Sequence, residues 1–256
     1  MEPKKIFLVS WILCLSLCSF AQGGLAGTLI QGATSMAGSS DYALSRKLHS
    51  AGNYKGNIRG PGDPLYFGVK GTPYFINSFL KSNIVLNDGR TYTDIPLMYE
   101  AFNDAALILS NDDTLILDKT KVKGFTLKDK NAGKTYYFEL TAVSPEKTDK
   151  HDFNFLEIAS RGNIDFLIRH YCELAPANFD PTFSTGSHYD EYSINNSYYI
   201  KNSQGEIKKI KLNKKSILEI LKGKVTEIKK FVSDNNLKYD KEQDAKRIFE
   251  FYNSFN

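Results

Sequence analysis

The sequence predicts an α+β protein that is mostly β, with an antiparallel β meander (a sheet, roll or sandwich) and a C-terminal bundle of three short helices. Short apolar runs recur between Leu65 and Leu212 at even spacing, and Asn, Asp and Gly turns separate them. After Asn213 the apolar residues change to the spacing of amphipathic helices. With 41% hydrophobic and 13% aromatic residues, the chain has enough apolar surface to bury a core, which argues against global disorder.

The first 21 residues have the pattern of a secretory signal peptide. Lys4 and Lys5 precede an apolar run from Ile6 to Leu17, and a small-residue site ends at Ala21. We therefore predict cleavage between Ala21 and Gln22 and export by the general secretory route to the periplasm, the outer membrane or the extracellular space. The mature chain is predicted to have no transmembrane span, because a bilayer helix needs about 20 apolar residues.

The cysteines bear on the same segment. Cys14 and Cys18 lie in the predicted signal, so cleavage leaves only Cys172 and excludes an intramolecular disulfide. Cys18 invites comparison with bacterial lipid attachment, but Leu17 stands where such motifs carry a small residue. Lipidation of Cys18 and a cysteine that merely fills the apolar run both stay open.

Residues 22–64 are rich in Gly, Ala, Ser and Asn and show no periodic apolar face, which predicts a flexible leader. The β domain is predicted over 65–212, and it begins with a hairpin in which Asp88-Gly89 joins Ile84–Leu86 to Arg90–Tyr92. The interval from Glu173 to Asn196, with two prolines and several Ser, Thr and Asp residues, is predicted to be a long loop. Further strands are predicted at Ile95–Tyr99, Ala105–Leu109, Thr114–Leu117, Val122–Leu127, Thr135–Leu140, Phe153–Ile158, Ile164–Tyr171, Tyr198–Ile200 and Glu206–Leu212.

The helical segment is predicted over 213–256, packed on or following the β domain. Ser216 with Glu219 has the spacing of a capping box for the first helix, and Gly223 suits its end. Asp240 with Gln243 gives a second capping signal. The apolar faces of the last two helices consist of Val225, Ile228, Val232, Ala245, Ile248, Phe249 and Tyr252.

Two stretches of the chain carry a family resemblance. The first consists of Gly71-Thr72-Pro73-Tyr74, Asp88-Gly89-Arg90-Thr91-Tyr92, Ile95-Pro96-Leu97-Met98-Tyr99 and Asn103-Asp104. The second consists of Lys214-Lys215-Ser216-Ile217-Leu218 and Phe251-Tyr252-Asn253-Ser254-Phe255. Together they resemble an uncharacterised family of secreted envelope proteins from the Bacteroidota. The resemblance covers most of residues 65–256 and implies a bacterial envelope setting, but it implies no reaction, cofactor or catalytic residue.

Reactive motifs are missing from the sequence, which contains no GxSxG, HExxH, GxxxxGK[ST] or CxxC signature. The densest polar run holds His188, Asp190 and Glu191, the candidate catalytic residues of a hydrolase. With Asp180 the same run is a candidate calcium site, and a solvated loop is the alternative. His170 and Cys172 share a strand face, but two ligands do not make a metal site, so no metal and no cofactor is predicted.

The C-terminal part is basic, with 14 basic and 8 acidic residues from Lys201 onward, a net charge of +6. A cluster of five lysines within residues 208–215 is a candidate contact for anionic lipid headgroups, acidic glycans or phosphate. The alternative is the solvated face of a strand. Tyr198 and Tyr199 are candidates for a sugar or protein contact, or for core packing. The clustered lysines are Lys208, Lys209, Lys211, Lys214 and Lys215.

From these residues we predict an exported, non-catalytic binding protein whose partner is an envelope protein or an outer-membrane complex. Export removes the chain from most nucleic acid, so no nucleic-acid partner is predicted. A hydrolase acting on envelope glycan or peptide is the first alternative. A glycan or small-ligand binding module is the second.

Overall fold

The computed structural model describes residues 64–110, 113–143 and 152–255. The predicted signal peptide, its cleavage point at Ala21 and the predicted leader up to residue 63 lie outside the described residues. Within them the chain forms eleven strands in one sheet, followed by three α-helices. The predicted fold class, mostly β with a C-terminal group of three helices, is confirmed.

The elements follow the chain in order. The strands are β1 (Gly68–Lys70), β2 (Leu80–Leu86), β3 (Thr91–Glu100), β4 (Ala105–Ser110), β5 (Asp113–Ile116), β6 (Val122–Asp129), β7 (Lys134–Val143), β8 (Asp152–Ser160), β9 (Ile164–Ala175), β10 (Tyr189–Asn202) and β11 (Ile207–Ile210). The helices are α1 (Lys214–Ile220), α2 (Val225–Asp234) and α3 (Glu242–Asn253). Short 3₁₀ turns lie at Lys119–Lys121 and Lys222–Lys224.

The sheet has the strand order β1-β10-β9-β8-β7-β6-β2-β3-β4-β5, and β11 also pairs with β10. Most neighbours are consecutive in the chain, as expected for a meander, but β6 pairs with β2 rather than with β5. The pairing of β1 with β10 is parallel. Since β9 occupies one edge of β10, β1 and β11 share the other: β1 lies against Tyr189–Glu191 and β11 against Tyr198–Lys201.

Two predictions about the strands were wrong. The runs Arg90–Tyr92 and Ile95–Tyr99 belong to the single strand β3, which passes Asp94 in a left-handed conformation (φ 55°). The predicted loop from Glu173 to Asn196 is much shorter, because β9 continues to Ala175 and β10 begins at Tyr189. The polar residues of β10 suggest a loop when the local sequence is considered alone. They form a strand because β10 pairs with β1 and β9, which lie elsewhere in the chain.

The predicted capping residues were also wrong. The cap of α1 is Asn213, whose side chain accepts a hydrogen bond from the backbone N–H of Ser216 (2.9 Å). Lys241 precedes α3 and provides no side-chain cap. The helix α1 already ends at Ile220, and Gly223 lies in the following 3₁₀ turn. Asn213 lies three residues before the serine, so α1 begins one turn earlier and Ser216 falls inside its first turn.

The sheet curls so that β3 and β9, which have four strands between them in the sheet order, meet across its inner face. The backbone N–H of Cys172 donates to the carbonyl of Ala101 (3.1 Å), and the hydroxyl of Tyr99 approaches the carbonyl of His170 (3.3 Å). Aromatic rings fill the space between them. The largest are Phe75, Tyr99, Phe125, Phe138 and Phe155.

The three helices cover the other half of the same inner face. On β9 the residues Phe166 and Ile168 continue the inward row, and the ring of Phe166 stacks on Phe249 of α3 at 4.8 Å. Burial of such a side chain stabilises the fold by about 1.5–3 kcal/mol. The helical core comprises Phe166, Ile168, Ile200, Ile210, Ile217, Leu221, Ile228, Ala245, Ile248 and Phe249, among others. Among the described helices, none has the length and hydropathy needed to span a bilayer.

Candidate anion-binding groove

A groove of about 620 Å³ lies between β11 and α1. Only three residues, Lys211 to Asn213, connect the strand to the helix, and the Asn213 cap fixes the direction of α1. Strand and helix therefore lie side by side with their polar edges facing each other across the groove. Its basic lining consists of Lys208, Lys209, Lys211 and Lys222.

The floor of the groove is apolar. Ile200 and Ile210 are 9% and 8% exposed, and both belong to the helical core. Ile164 and Ile220 complete the floor and pack against the same core from its edge. The remaining lining is Asn202, Ser216 and Glu219. Four lysines and one glutamate give this lining a net charge of +3.

The lysines of the groove carry positive charge that nearby carboxylates do not neutralise. All four are exposed, and within the described residues none forms an ion pair. The nearby carboxylate of Glu206 instead accepts a hydrogen bond from Asn202 (2.7 Å). Lys214 and Lys215, the first two residues of α1, are exposed beside the groove and extend the charge. Such a surface attracts anions.

Tyr198 and Tyr199, the two tyrosines that the sequence suggested as contact residues, lie on β10 beside β11. In the ladder between β10 and β11, Tyr198 lies opposite Ile210 and Tyr199 opposite Lys209. Tyr199 is buried (5% exposed) on the outer face of the sheet. Tyr198 donates to the carboxylate of Glu242 (3.2 Å), and burial together with that carboxylate raises the pKa of Tyr198. Both side chains therefore pack within the fold and hold β11 in place.

The predicted catalytic run lies at the opposite end of β10. The ring of His188 is stacked between Phe67 (4.3 Å) and Phe179 (3.8 Å), and its Nδ1 donates to the carbonyl of Leu65 (2.8 Å). These contacts fasten the segment that contains β1 to the end of β10.

The two carboxylates of this run have different surroundings. Asp190 is fully buried and accepts hydrogen bonds from the Tyr66 hydroxyl (3.1 Å) and the Ala177 N–H (2.7 Å). Glu191 is exposed. Asp180 accepts from the backbone N–H of Thr182 within its own turn (2.8 Å). Across the described ranges, no three His, Cys, Asp or Glu residues are arranged to hold a metal ion.

A buried polar chain at the junction of the two cores escaped the sequence reasoning. His170 is 4% exposed, with its Nε2 2.7 Å from the carboxylate of Glu157 and its Nδ1 2.8 Å from the amide oxygen of Asn196. The amide of Asn196 in turn donates to Glu242, the first residue of α3 (2.6 Å). An amide oxygen only accepts, so the Nδ1 of His170 donates to Asn196.

This chain of contacts ties α3 to the sheet and occupies His170. Cys172, the other residue of the pair considered for a metal, lies in the aromatic core, with its Sγ 3.8 Å from the carbonyl of Thr72. Burial raises the pKa of its thiol to about 11. The only signal in the sequence was a row of polar residues at inward positions of three adjacent strands, which becomes readable once the register is known.

Comparison of the chain with protein-family models, with curated proteins and with solved structures gives no match. The groove is the feature in which a residue cluster singled out by the sequence coincides with a concave surface.

Proposed function

We propose that this protein is an exported component of a bacterial cell envelope that binds an anionic envelope partner through the groove, without catalysing a reaction. The observation that carries the proposal is the set of four exposed lysines that line one concave surface with a single carboxylate, Glu219, among them. The signal-peptide pattern of residues 1–21 supports export, and the resemblance to secreted Bacteroidota proteins supports the envelope setting. The partner is an outer-membrane component that carries phosphate or carboxylate groups.

The charge arrangement favours a partner with several anionic groups. Exposed amines attract anions over roughly a Debye length, about 8 Å at physiological salt, so the lysines act together on a charged surface. Near an anionic membrane, each basic residue contributes about 1 kcal/mol, which is about fivefold in affinity. Binding is therefore expected to weaken steeply as salt is added.

Vesicle sedimentation tests the proposal. The mature chain, residues 22–256, should bind phosphatidylcholine vesicles that contain phosphatidylglycerol and should not bind vesicles of phosphatidylcholine alone. The triple variant Lys208→Gln, Lys211→Gln and Lys222→Gln should bind about 100-fold more weakly. The matched control carries the same charge change at three exposed lysines outside the groove: Lys229→Gln, Lys238→Gln and Lys241→Gln.

The control should keep most of the affinity, because its lysines lie on other surfaces. An equal loss in both triple variants would mean that net charge alone drives binding, and it would overturn the assignment of the groove. Binding of the unmodified chain that ignores salt and phosphatidylglycerol would overturn the proposed function itself. Circular dichroism of each variant checks that the fold is retained.

Export has a separate test in the native host. The only tryptophan is Trp11, inside the predicted signal. Protein purified from the envelope fraction should therefore lack tryptophan emission, and its intact mass should equal that of a chain whose first residue is Gln22. Tryptophan emission from the envelope-bound protein would show that the signal is retained and would contradict the predicted cleavage.

A further inference from the structure

We infer that the groove binds one molecule of an anionic amphiphile, with the charged head among the lysines and an alkyl chain along the isoleucine floor. The inference rests on the proposed function, since the same lysines provide the charge, and it names the ligand class: an alkyl phosphate or an alkyl carboxylate. Surface lysines alone would suit any polyanion. The additional observation is the row of isoleucines that forms the floor of the groove beneath the lysines.

The floor distinguishes this groove from a purely electrostatic surface. Ile164 and Ile220 are partly exposed at the edge of the helical core, and Ile200 and Ile210, which also line the groove, belong to that core. A sugar or polyphosphate chain would set polar atoms against these side chains and gain little. An alkyl chain would remove apolar surface from water on both sides, which is favourable in proportion to the area buried.

The size and charge of the groove fit such a ligand. Its volume of about 620 Å³ lies within the range of roughly 300–1,000 Å³ found for small-molecule sites. Lysine ammonium groups offer three donors each, and Ser216 adds a hydroxyl to the lining. Because Glu219 is the one carboxylate in the lining, it opposes an anionic head.

The floor is tested with a series of soluble probes: inorganic phosphate, then butyl, hexyl and octyl phosphate below their aggregation concentrations, measured by isothermal titration calorimetry. Affinity should rise with chain length by up to about fourfold per methylene, the fold-change that corresponds to about 0.8 kcal/mol. The increase should level off once the chain extends beyond the groove. Methylene groups that extend past the groove into solvent remove no further apolar surface from water, so they add no affinity.

Two variants separate the floor from the charge. Ser216→Phe places a ring in the groove, so the dependence of alkyl phosphate affinity on chain length should flatten. Ser233→Phe, at an exposed position of α2, is the matched control and should behave as the unmodified chain. Glu219→Gln should tighten the binding of every alkyl phosphate severalfold, and a gain cannot result from misfolding.

The outcomes are distinguishable. If vesicles bind but affinity is independent of chain length, the amphiphile is wrong and the anionic surface contact stands. If neither vesicles nor alkyl phosphates bind, both proposals are overturned together. If Ser216→Phe leaves the chain-length dependence unchanged, the alkyl chain lies elsewhere and the assignment to this groove is refuted.

Discussion

Replacement of His170 by phenylalanine tests how the sheet holds its helical cover. His170 and Glu157 are each 4% exposed, and their side chains are 2.7 Å apart. The second oxygen of Glu157 has Lys134 at 3.8 Å. Removal of the imidazole leaves a buried carboxylate with only this longer contact.

The cost follows from burial. Breaking a buried pair by removing one partner typically destabilises a protein by about 3–5 kcal/mol, and the remaining Lys134 contact places our expectation near about 3 kcal/mol. Phenylalanine keeps an aromatic ring beside those of Phe75 and Phe138, whose centroids lie 4.3 and 6.1 Å from that of His170. The penalty therefore reports the polar groups left without their partner, the Glu157 carboxylate and the amide oxygen of Asn196, rather than a cavity.

A second substitution completes the cycle. Glu157→Leu alone leaves the Nε2 of His170 without its hydrogen-bond partner, at about 1–3 kcal/mol. The double variant removes both partners, and apolar replacement of a buried pair is often close to neutral. We expect the double variant to be more stable than the sum of the two single costs by at least about 2 kcal/mol.

Urea unfolding followed by circular dichroism measures the four free energies of unfolding. Equal m-values across the set would show that the unfolded and folded states expose the same surface, so that the midpoints report stability. Additivity of the two single costs within about 0.5 kcal/mol would refute the coupling. It would also mean that the polar chain from Glu157 to Glu242 does not act as a unit.

Three further predictions concern other parts of the fold. With its pKa raised to about 11 and 8% exposure, Cys172 should react with a thiol reagent in urea but only slowly in the folded protein, and fast native labelling would contradict its burial. Burial also raises the pKa of the Asp104 carboxyl, so its contribution to stability is fully present below its usual pKa of 3.8 and is lost as pH rises through the folded value. Relative to Asp104→Asn, the unmodified chain should therefore lose stability as pH rises above 3.8, and a difference in urea unfolding that stays constant with pH would exclude this linkage. In Gly71→Ala the new Cβ would lie 2.4 Å from the carbonyl oxygen of Tyr192, so urea unfolding should show a larger loss than for Gly133→Ala, which has a similar positive φ but open space, and equal losses would show that the contact relaxes.

The sequence was informative wherever a pattern is local. The hairpin at Asp88-Gly89 and the helical period after Asn213 depend on neighbouring residues, and both are present in the structure. The β6–β2 pairing and the beginning of β10 at Tyr189 depend on residues far away in the chain. Local propensity does not report such partners, which is why the predicted loop was too long.

The sequence predicted part of the lining of the groove, but not the groove itself. Five lysines within eight residues stand out in any reading of the chain, and three of them line the concave surface. The fourth lysine of the lining, Lys222, and the floor residue Ile164 come from other segments, and only packing of the helices on the sheet brings them there. The pairing of His170 with Glu157 was missed for the same reason, because strand register had to be known first.

The parallel pairing of β1 with β10 constrains the order in which the molecule can be assembled. Tyr66 and Asp190, whose side chains meet at this seam, are 124 positions apart. A chain that emerges N-terminus first leaves the backbone of β1 unpaired until Tyr189–Glu191 has been synthesised. A chaperone that binds the nascent polypeptide would meet an unpaired strand edge there. A fragment that ends before Tyr189 would leave this edge permanently unpaired.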